Sequence, residues 1–283
     1  MKQHIHLWRY LFALGLLLAL LPVTAATPRL RVLSFNAMGQ SRSTALPWAG
    51  RSTAMCLKLH QIGADIMGLQ EVDSIQATDL SQGLPEYNLV DEKLPQGMPR
   101  TETNPIFYRK EAYRLIDHGT FWLSETPEEP SPCWDVPRRQ SVCWAVLQSI
   151  QTGISFLVAN TRFDSLTDMA RQHSAVLIKN YLSKMTNNTP VILTASLDRE
   201  DSDPFHTALL QRYLPMKDAW QATGKHKGGP ATTNVLAPRQ QRTDYVFTVE
   251  SVKVRQAVVY PALGKGDQPL SDHDMLCVEL AKK

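Results

Sequence analysis

Cysteine is scarce in this chain, with four among 283 residues. None of the four has CxxC or Cys/His spacing, which excludes a structural zinc cluster. Net charge is small as well, since 30 basic residues against 27 acidic ones leave +3. That figure falls to about +1 if Lys2 and Arg9 are lost with a leader, so no global field draws in nucleic acid. Beyond residue 26 there is no uninterrupted run of 18 apolar residues, so the mature chain should carry no transmembrane helix. Internal repeats and low-complexity tracts are also missing, which argues against solenoids and disordered scaffolds.

The one long apolar run lies at the start. Lys2 and Arg9 precede Leu11 to Leu21, followed by Pro22 and the small residues Val23, Thr24, Ala25 and Ala26. That order is a cleavable export signal over residues 1–26, and the apolar core is about half the ~20 residues needed to span a bilayer. The chain is therefore expected to be exported, periplasmic or secreted, with residues 27–283 forming one domain and a monomer. Composition is ordinary for a globular fold, 43% hydrophobic and 20% charged. In an oxidising compartment Cys133 and Cys143 could close a short disulfide loop, whereas Cys56 and Cys277 fall in regular elements and read as small buried hydrophobes. Lys225, His226, Lys227, Arg239 and Arg242 cluster around a Gly/Pro-rich loop, either a solvated surface or a place to meet an anion.

Hydrophobic periodicity sets out the elements. Strand patterns cover 31–35, 66–69, 88–90, 106–108, 114–116, 143–148, 154–159, 191–194, 244–247, 252–258 and 275–280. Helical spacing covers 51–62, ended by Gly63, then 167–185 with Ala170, Ala175, Val176, Ile178, Tyr181 and Leu182 on one face, and 204–213. Strands outnumber helices and come both in hairpins and in helix-linked pairs. The expected fold is thus α/β, a four-layer sandwich of two packed mixed sheets flanked by helices.

Five strand-like runs end in polar residues: Asn36, Gln70-Glu71, Asn160 to Asp164, Ser196 to Asp198, and Ser271-Asp272-His273 just before the last strand. Amides, carboxylates and a histidine delivered to one sheet edge suit a hard cation and the phosphate oxygens it handles. Glu71 could ligate Mg²⁺ directly, and Asn36 could add a neutral oxygen, orient the carboxylate, or simply make an Asx turn.

The motifs LSFNAMG, DIMGLQEV, NPIFYRK, FWLSETPEEP, LVANTRFDS, VILTASLD, RTDYVF and PLSDHDM, in that order, resemble the endonuclease/exonuclease/phosphatase superfamily of metal-dependent, DNase I-like phosphoesterases. The resemblance implies a metal held by Asn36, Glu71 and Asp272, with Mg²⁺ the expected ion and Mn²⁺ an alternative. It also implies His273 and Tyr108 near the scissile phosphate, Asp244 positioning the site, and Asn160 opening a further catalytic motif. A phosphodiester or phosphomonoester would be the substrate, and nucleic acid is not called for by the charge.

Three positions depart from the family pattern. Its Asn-Thr-His-Leu-Asp-His reads here Asn160-Thr161-Arg162-Phe163-Asp164-Ser165, so Arg162 and Ser165 stand where histidines are expected. Arg162 can hold a phosphate but cannot shuttle a proton. Its Gly-Asp-Phe-Asn reads Ala195-Ser196-Leu197-Asp198, which replaces the water-activating aspartate with a hydroxyl. If the segment stays extended, Asp198 faces the same side as Ser196 and could serve as a substitute base. Two readings follow: an exported Mg²⁺-dependent phosphoesterase using Asp198, or an inactive relative that binds metal, a phosphate ester or a protein partner.

Overall fold

The computed structural model describes residues 29–40, 44–92, 102–163, 167–200, 204–210, 214–234, 236–237 and 239–282. The expected signal at 1–26, and Asp164 and Ser165, lie outside those residues.

In chain order the elements are β1 (Leu30–Asn36), α1 (Trp48–Ile62), β2 (Ile66–Gln70), α2 (Ser74–Gly83), β3 (Tyr87–Val90), β4 (Ile106–Arg109), β5 (Tyr113–Trp122), β6 (Ser141–Ser149) and β7 (Ser155–Arg162). They continue with α3 (Asp168–Met185), β8 (Val191–Ser196), α4 (Pro204–Leu210), β9 (Met216–Asp218), β10 (His226–Lys227), β11 (Asp244–Val249), β12 (Val252–Tyr260) and β13 (Met275–Lys282). Seven strands form one sheet in the order β10-β12-β13-β1-β2-β4-β3, and six form the other as β5-β6-β7-β8-β11-β9. Each sheet is mixed: β1 and β2 run parallel in one, β7 and β8 in the other, with α1 and α3 as the respective crossovers.

Alternation along the strands sorts three cores. Val32, Ile66, Ile106, Val158, Ile192, Val246 and Val278 point between the sheets. Leu33, Phe35, Met67 and Leu69 point outward and meet Met55, Leu59 and Ile62 of α1 and Leu80 of α2. On the other outer face Leu157, Ala159, Leu193 and Phe247 meet Ala170, Ala175, Ile178 and Leu182 of α3. The four layers expected from the sequence are all present. Among the described residues no helix is long and apolar enough to cross a membrane.

Local chemistry explains the element ends. Gly63 closes α1 in the left-handed region at φ 62° and returns its N–H to Leu59 O at 3.0 Å. α2 was not foreseen, although Asp73 and Gln76 form a full capping box at its start. β9 and β10, three and two residues long, also escaped the periodicity. Val176, assigned to the apolar face of α3, is exposed.

Gly68 brings the sheets unusually close. A Cβ there would lie 1.9 Å from Thr194 Oγ1 and 2.8 Å from Asn160 Oδ1, so only glycine allows this approach.

The disulfide expectation needs correction. Cys133 and Cys143 are free and buried. Cys143 belongs to the core between the sheets and Cys133 to the outer core, so a β-sheet separates the two sulfurs. Burial pushes the Cys133 thiol up to about 11 and that of Cys143 upward too, which keeps both as inert thiols. Cys56 and Cys277 are buried, as read from the sequence.

Candidate functional site

β1, β2, β7 and β8 all run toward one end of the sandwich, where β11 and β13 begin. The inward phase that places Val32, Ile66, Val158, Ile192 and Val246 between the sheets continues up to four residues further along β1, β2, β7 and β8 and two residues back in β11. It therefore brings Asn36, Gln70, Asn160, Arg162, Thr194, Ser196 and Asp244 inward too. Strand register then sets Arg162 beside Ser196 on β8 and Asp244 opposite the same serine on β11.

Asn36 is the junction. Its Nδ2 donates to Glu71 Oε1 at 2.6 Å and to Ser196 Oγ at 3.4 Å, linking the two sheets. The Met38 N–H donates to Asn36 Oδ1 at 2.9 Å, which fixes which end of the amide faces Glu71. Glu71 leaves β2 in the left-handed region at φ 56°, a conformation that costs a non-glycine residue energy and is found where geometry is imposed by function. Its Oε1 pairs with the Arg162 guanidinium at 2.7 Å, and its Oε2 accepts from the Gly39 N–H at 3.4 Å. Arg162 reaches on to Glu102 at 3.5 Å. Glu71 and Arg162 are 2% and 8% exposed, so this is a nearly dry ion pair.

On the other side Asp244 Oδ2 accepts from His273 Nδ1 at 2.6 Å and from Thr243 Oγ1 at 3.2 Å. Burial alone would depress the His273 pKa, but the adjoining Asp244, with Asp272 and Glu71 further off, raises it to about 9. The imidazole is therefore a cation at neutral pH. The Ser271 hydroxyl ties this half to the first, donating to Asn36 O at 2.8 Å and accepting from the His273 N–H at 3.1 Å. The second oxygen, Asp244 Oδ1, is buried with no hydrogen-bond partner among the described residues, which leaves an acceptor for a donor on a ligand.

Other expected residues fall elsewhere. Tyr108 stands opposite Ile66 at the start of β2, because β4 runs antiparallel to β2 and carries it to the far end. There it packs between the sheets, with its hydroxyl accepting from Asn88 Nδ2 at 3.1 Å. Asn160 sits one step inside the site as a pin between sheets. Its Nδ2 donates to Leu69 O at 2.8 Å and Pro105 O at 2.9 Å, and its Oδ1 accepts from Gln70 Nε2 at 2.7 Å and Thr194 Oγ1 at 2.9 Å. Asp198 does not continue the strand: β8 ends at Ser196, and Asp198 is exposed and left-handed at φ 55°. The extended geometry that would have aimed it with Ser196 is absent. The basic cluster also divides, since Arg242 is buried against Asp218 at 2.6 Å while the exposed His226 ring stacks on Trp220.

Two contributors went unnoticed in the sequence. Glu102 carries no motif and meets Arg162 only through the fold. Arg51 lies fully buried on α1, donating to Ala37 O and Leu270 O at 2.7 Å each, to Leu46 O at 3.3 Å, and to Met38 O. Burial lowers its pKa to about 10 against the pull of Asp272, Asp73 and Glu71. It clamps the turn after Asn36 to the segment before Asp272.

The donor set does not fit the divalent ion expected on Asn36, Glu71 and Asp272. Among the described residues no three His, Cys, Asp or Glu side chains gather as a cation site. Glu71 Oε1 already takes Asn36 Nδ2 and a guanidinium, and Asn36 presents N–H to it rather than oxygen. Asp272 is half-buried, with Oδ1 accepting from Ser271 Oγ at 3.4 Å. A dication on Glu71 would lie roughly 4 Å from the guanidinium, a repulsion of about 8 kcal/mol at an effective dielectric near 20.

Residues 33–273 match the model of the Endonuclease/Exonuclease/phosphatase family. Among solved structures the chain is similar to an endonuclease/exonuclease/phosphatase from Bacteroides vulgatus at 28% identity and TM-score 0.84, covering 90% of this chain and 100% of that one. It is similar to a Bacteroides thetaiotaomicron mannosyl-6-phosphatase at 26% identity and TM-score 0.79, covering 89% and 99%. The human Nocturnin catalytic domain with bound sulfate shares the fold, at 18% identity, TM-score 0.72 and coverage of 90% and 94%. No curated protein matches the chain.

Proposed function

The chain belongs to the endonuclease/exonuclease/phosphatase family, and on that premise we propose that it binds a phosphate ester through Arg162 and His273 without hydrolysing it. Family members are in general metal-dependent hydrolases. The observation that carries the proposal is Ser196. Its hydroxyl ends β8 between Arg162 and Asp244 in the strand register, where the water-activating carboxylate is expected, and a hydroxyl cannot act as a base near neutrality. Asp198, the one substitute the sequence offered, lies past the end of β8 in the left-handed region and does not continue the face that carries Ser196.

Binding survives this loss because it needs different chemistry. Two cations, Arg162 and protonated His273, supply charge-assisted N–H donors to phosphoryl oxygens, and each is steadied by its own carboxylate. The small net charge gives no polynucleotide footprint, so a small phosphate ester fits better than nucleic acid. The likeness to a mannosyl-6-phosphatase makes a sugar phosphate the first ligand to try. With the N-terminal run acting as an export signal, the protein would meet this ligand outside the cytoplasm.

The test is calorimetric titration with mannose 6-phosphate and inorganic phosphate, beside turnover assays on a chromogenic phosphomonoester and phosphodiester with Mg²⁺, Mn²⁺ or EDTA. Saturable binding that is lost in His273→Gln, with no turnover in any condition, is expected. Metal-dependent turnover that Glu71→Ala abolishes would overturn the reading.

A further inference from the structure

We infer that Arg162 is a built-in replacement for the divalent cation, so that the site holds its anion by protein charge alone and is metal-independent. This rests on the phosphate-ester reading above, but it concerns a separate property of the same site.

The register shows that the guanidinium is placed by the fold. Asn160 and Arg162 are neighbours on the inner face of β7, two residues apart, as Leu69 and Glu71 are along the facing chain. Asn160 Nδ2 bonds Leu69 O, and one step further Arg162 bonds the Glu71 carboxylate. The sheets are held to this spacing by Gly68, so the guanidinium meets Glu71 at 2.7 Å as a continuation of the interlock. Its other arm reaches Glu102, which fills the space over Gly39, where a Cβ would lie 2.2 Å from Glu102 Oε1. A single cation between two carboxylates, almost fully buried, offsets part of the negative charge that a metal would otherwise offset.

Chemistry separates the two solutions. A divalent ion polarises a phosphoryl oxygen and can acidify a bound water, whereas a guanidinium binds phosphoryl oxygens through a planar fork of N–H donors and generates no hydroxide. Arg162 and Ser196 stand side by side in adjacent strands, and a site that activates no water has no use for a base.

Measure Mn²⁺ uptake by the loss of the free-ion EPR signal, for the native full chain and for Arg162→Met. Record melting temperatures with and without Mg²⁺, and titrate inorganic phosphate in EDTA and in Mg²⁺. The native chain is expected to take up no Mn²⁺ at millimolar concentration, to melt at the same temperature with Mg²⁺ as without, and to bind phosphate equally in both buffers. Arg162→Met should bind Mn²⁺ tighter by about tenfold or more and lose phosphate binding in EDTA. Native uptake of one Mn²⁺ per chain that Glu71→Gln removes would overturn the inference, as would a folded Arg162→Met chain that still excludes the ion. If that variant does not fold, the native melting and phosphate titrations still decide. Turnover by the native chain in EDTA would sink the binding-only reading while leaving metal independence standing. Turnover that requires the metal, with uptake lost on Glu71→Gln, would sink both.

Discussion

The layer between the two sheets has an apolar end and a polar end made by the same strands in the same phase. At one end Val32, Ile66, Val158, Ile192 and Val246 meet across the gap as ordinary core. Four residues along β1, β2, β7 and β8, the positions become Asn36, Gln70, Arg162 and Ser196, and β11 begins with Asp244. The difference lies in tolerance. Apolar neighbours need only fill volume, whereas each buried polar group needs its own partner, and several of those partners, such as Glu71 for Arg162 and Gln70 for Asn160, sit on the opposite sheet. A substitution at the polar end therefore propagates to a residue far away in sequence, which is how Arg162 and Glu71 come to be one unit.

The largest expected effect comes from reversing the polar end. The double change Ser196→Asp with Arg162→His should bring metal-dependent turnover of a chromogenic phosphate ester up by roughly 10²–10⁴-fold over the native background. If the pair gains nothing, the deficiency lies outside these two positions and the polar end does not limit turnover. Next in size is Asn160→Ala, which leaves Gln70, Thr194 and two carbonyls short of a partner inside the layer. A loss of about 3 kcal/mol by urea unfolding is expected. Ile192→Val at the apolar end should cost only about 1 kcal/mol and leave phosphate titrations unchanged. Equal losses at the two ends would erase the distinction between them.

A further expected effect concerns pH. Because the His273 pKa is raised to about 9 when folded, its stabilisation is fully present below the ordinary histidine value near 6.5. That stabilisation is lost as pH rises through about 9. Urea midpoints of the native chain should fall across this window more than those of His273→Gln, and parallel curves would mean the imidazole is not held as a cation.

Fold and site were legible in the sequence to different depths. The polar ends of the strand-like runs bring Asn36, Glu71, Arg162, Ser196 and His273 together in the sequence, whereas Asp244 joins them only through the family resemblance. Tyr108 could not be placed, because a short apolar run does not state its direction, and β4 runs the other way. Asp198 was misjudged because a left-handed turn at an aspartate leaves no mark in an alternation pattern. Glu102 and Arg51 act on partners 60 and more than 200 residues away, including plain carbonyls, and no local spacing encodes such contacts. α2 was readable and overlooked, since Asp73 and Gln76 carry its signature.

Gly68 carries no chemistry, yet it sets how closely the two sheets can approach. A methyl group there must displace the Thr194 and Asn160 side chains that face it from the second sheet. Asn36 would then draw back from Ser196, and Arg162 from Glu71. The aperture across which one half of the chain reads the other is thus gauged by a missing side chain, and a protein altered only at Gly68 would keep every polar group of its site while losing their alignment.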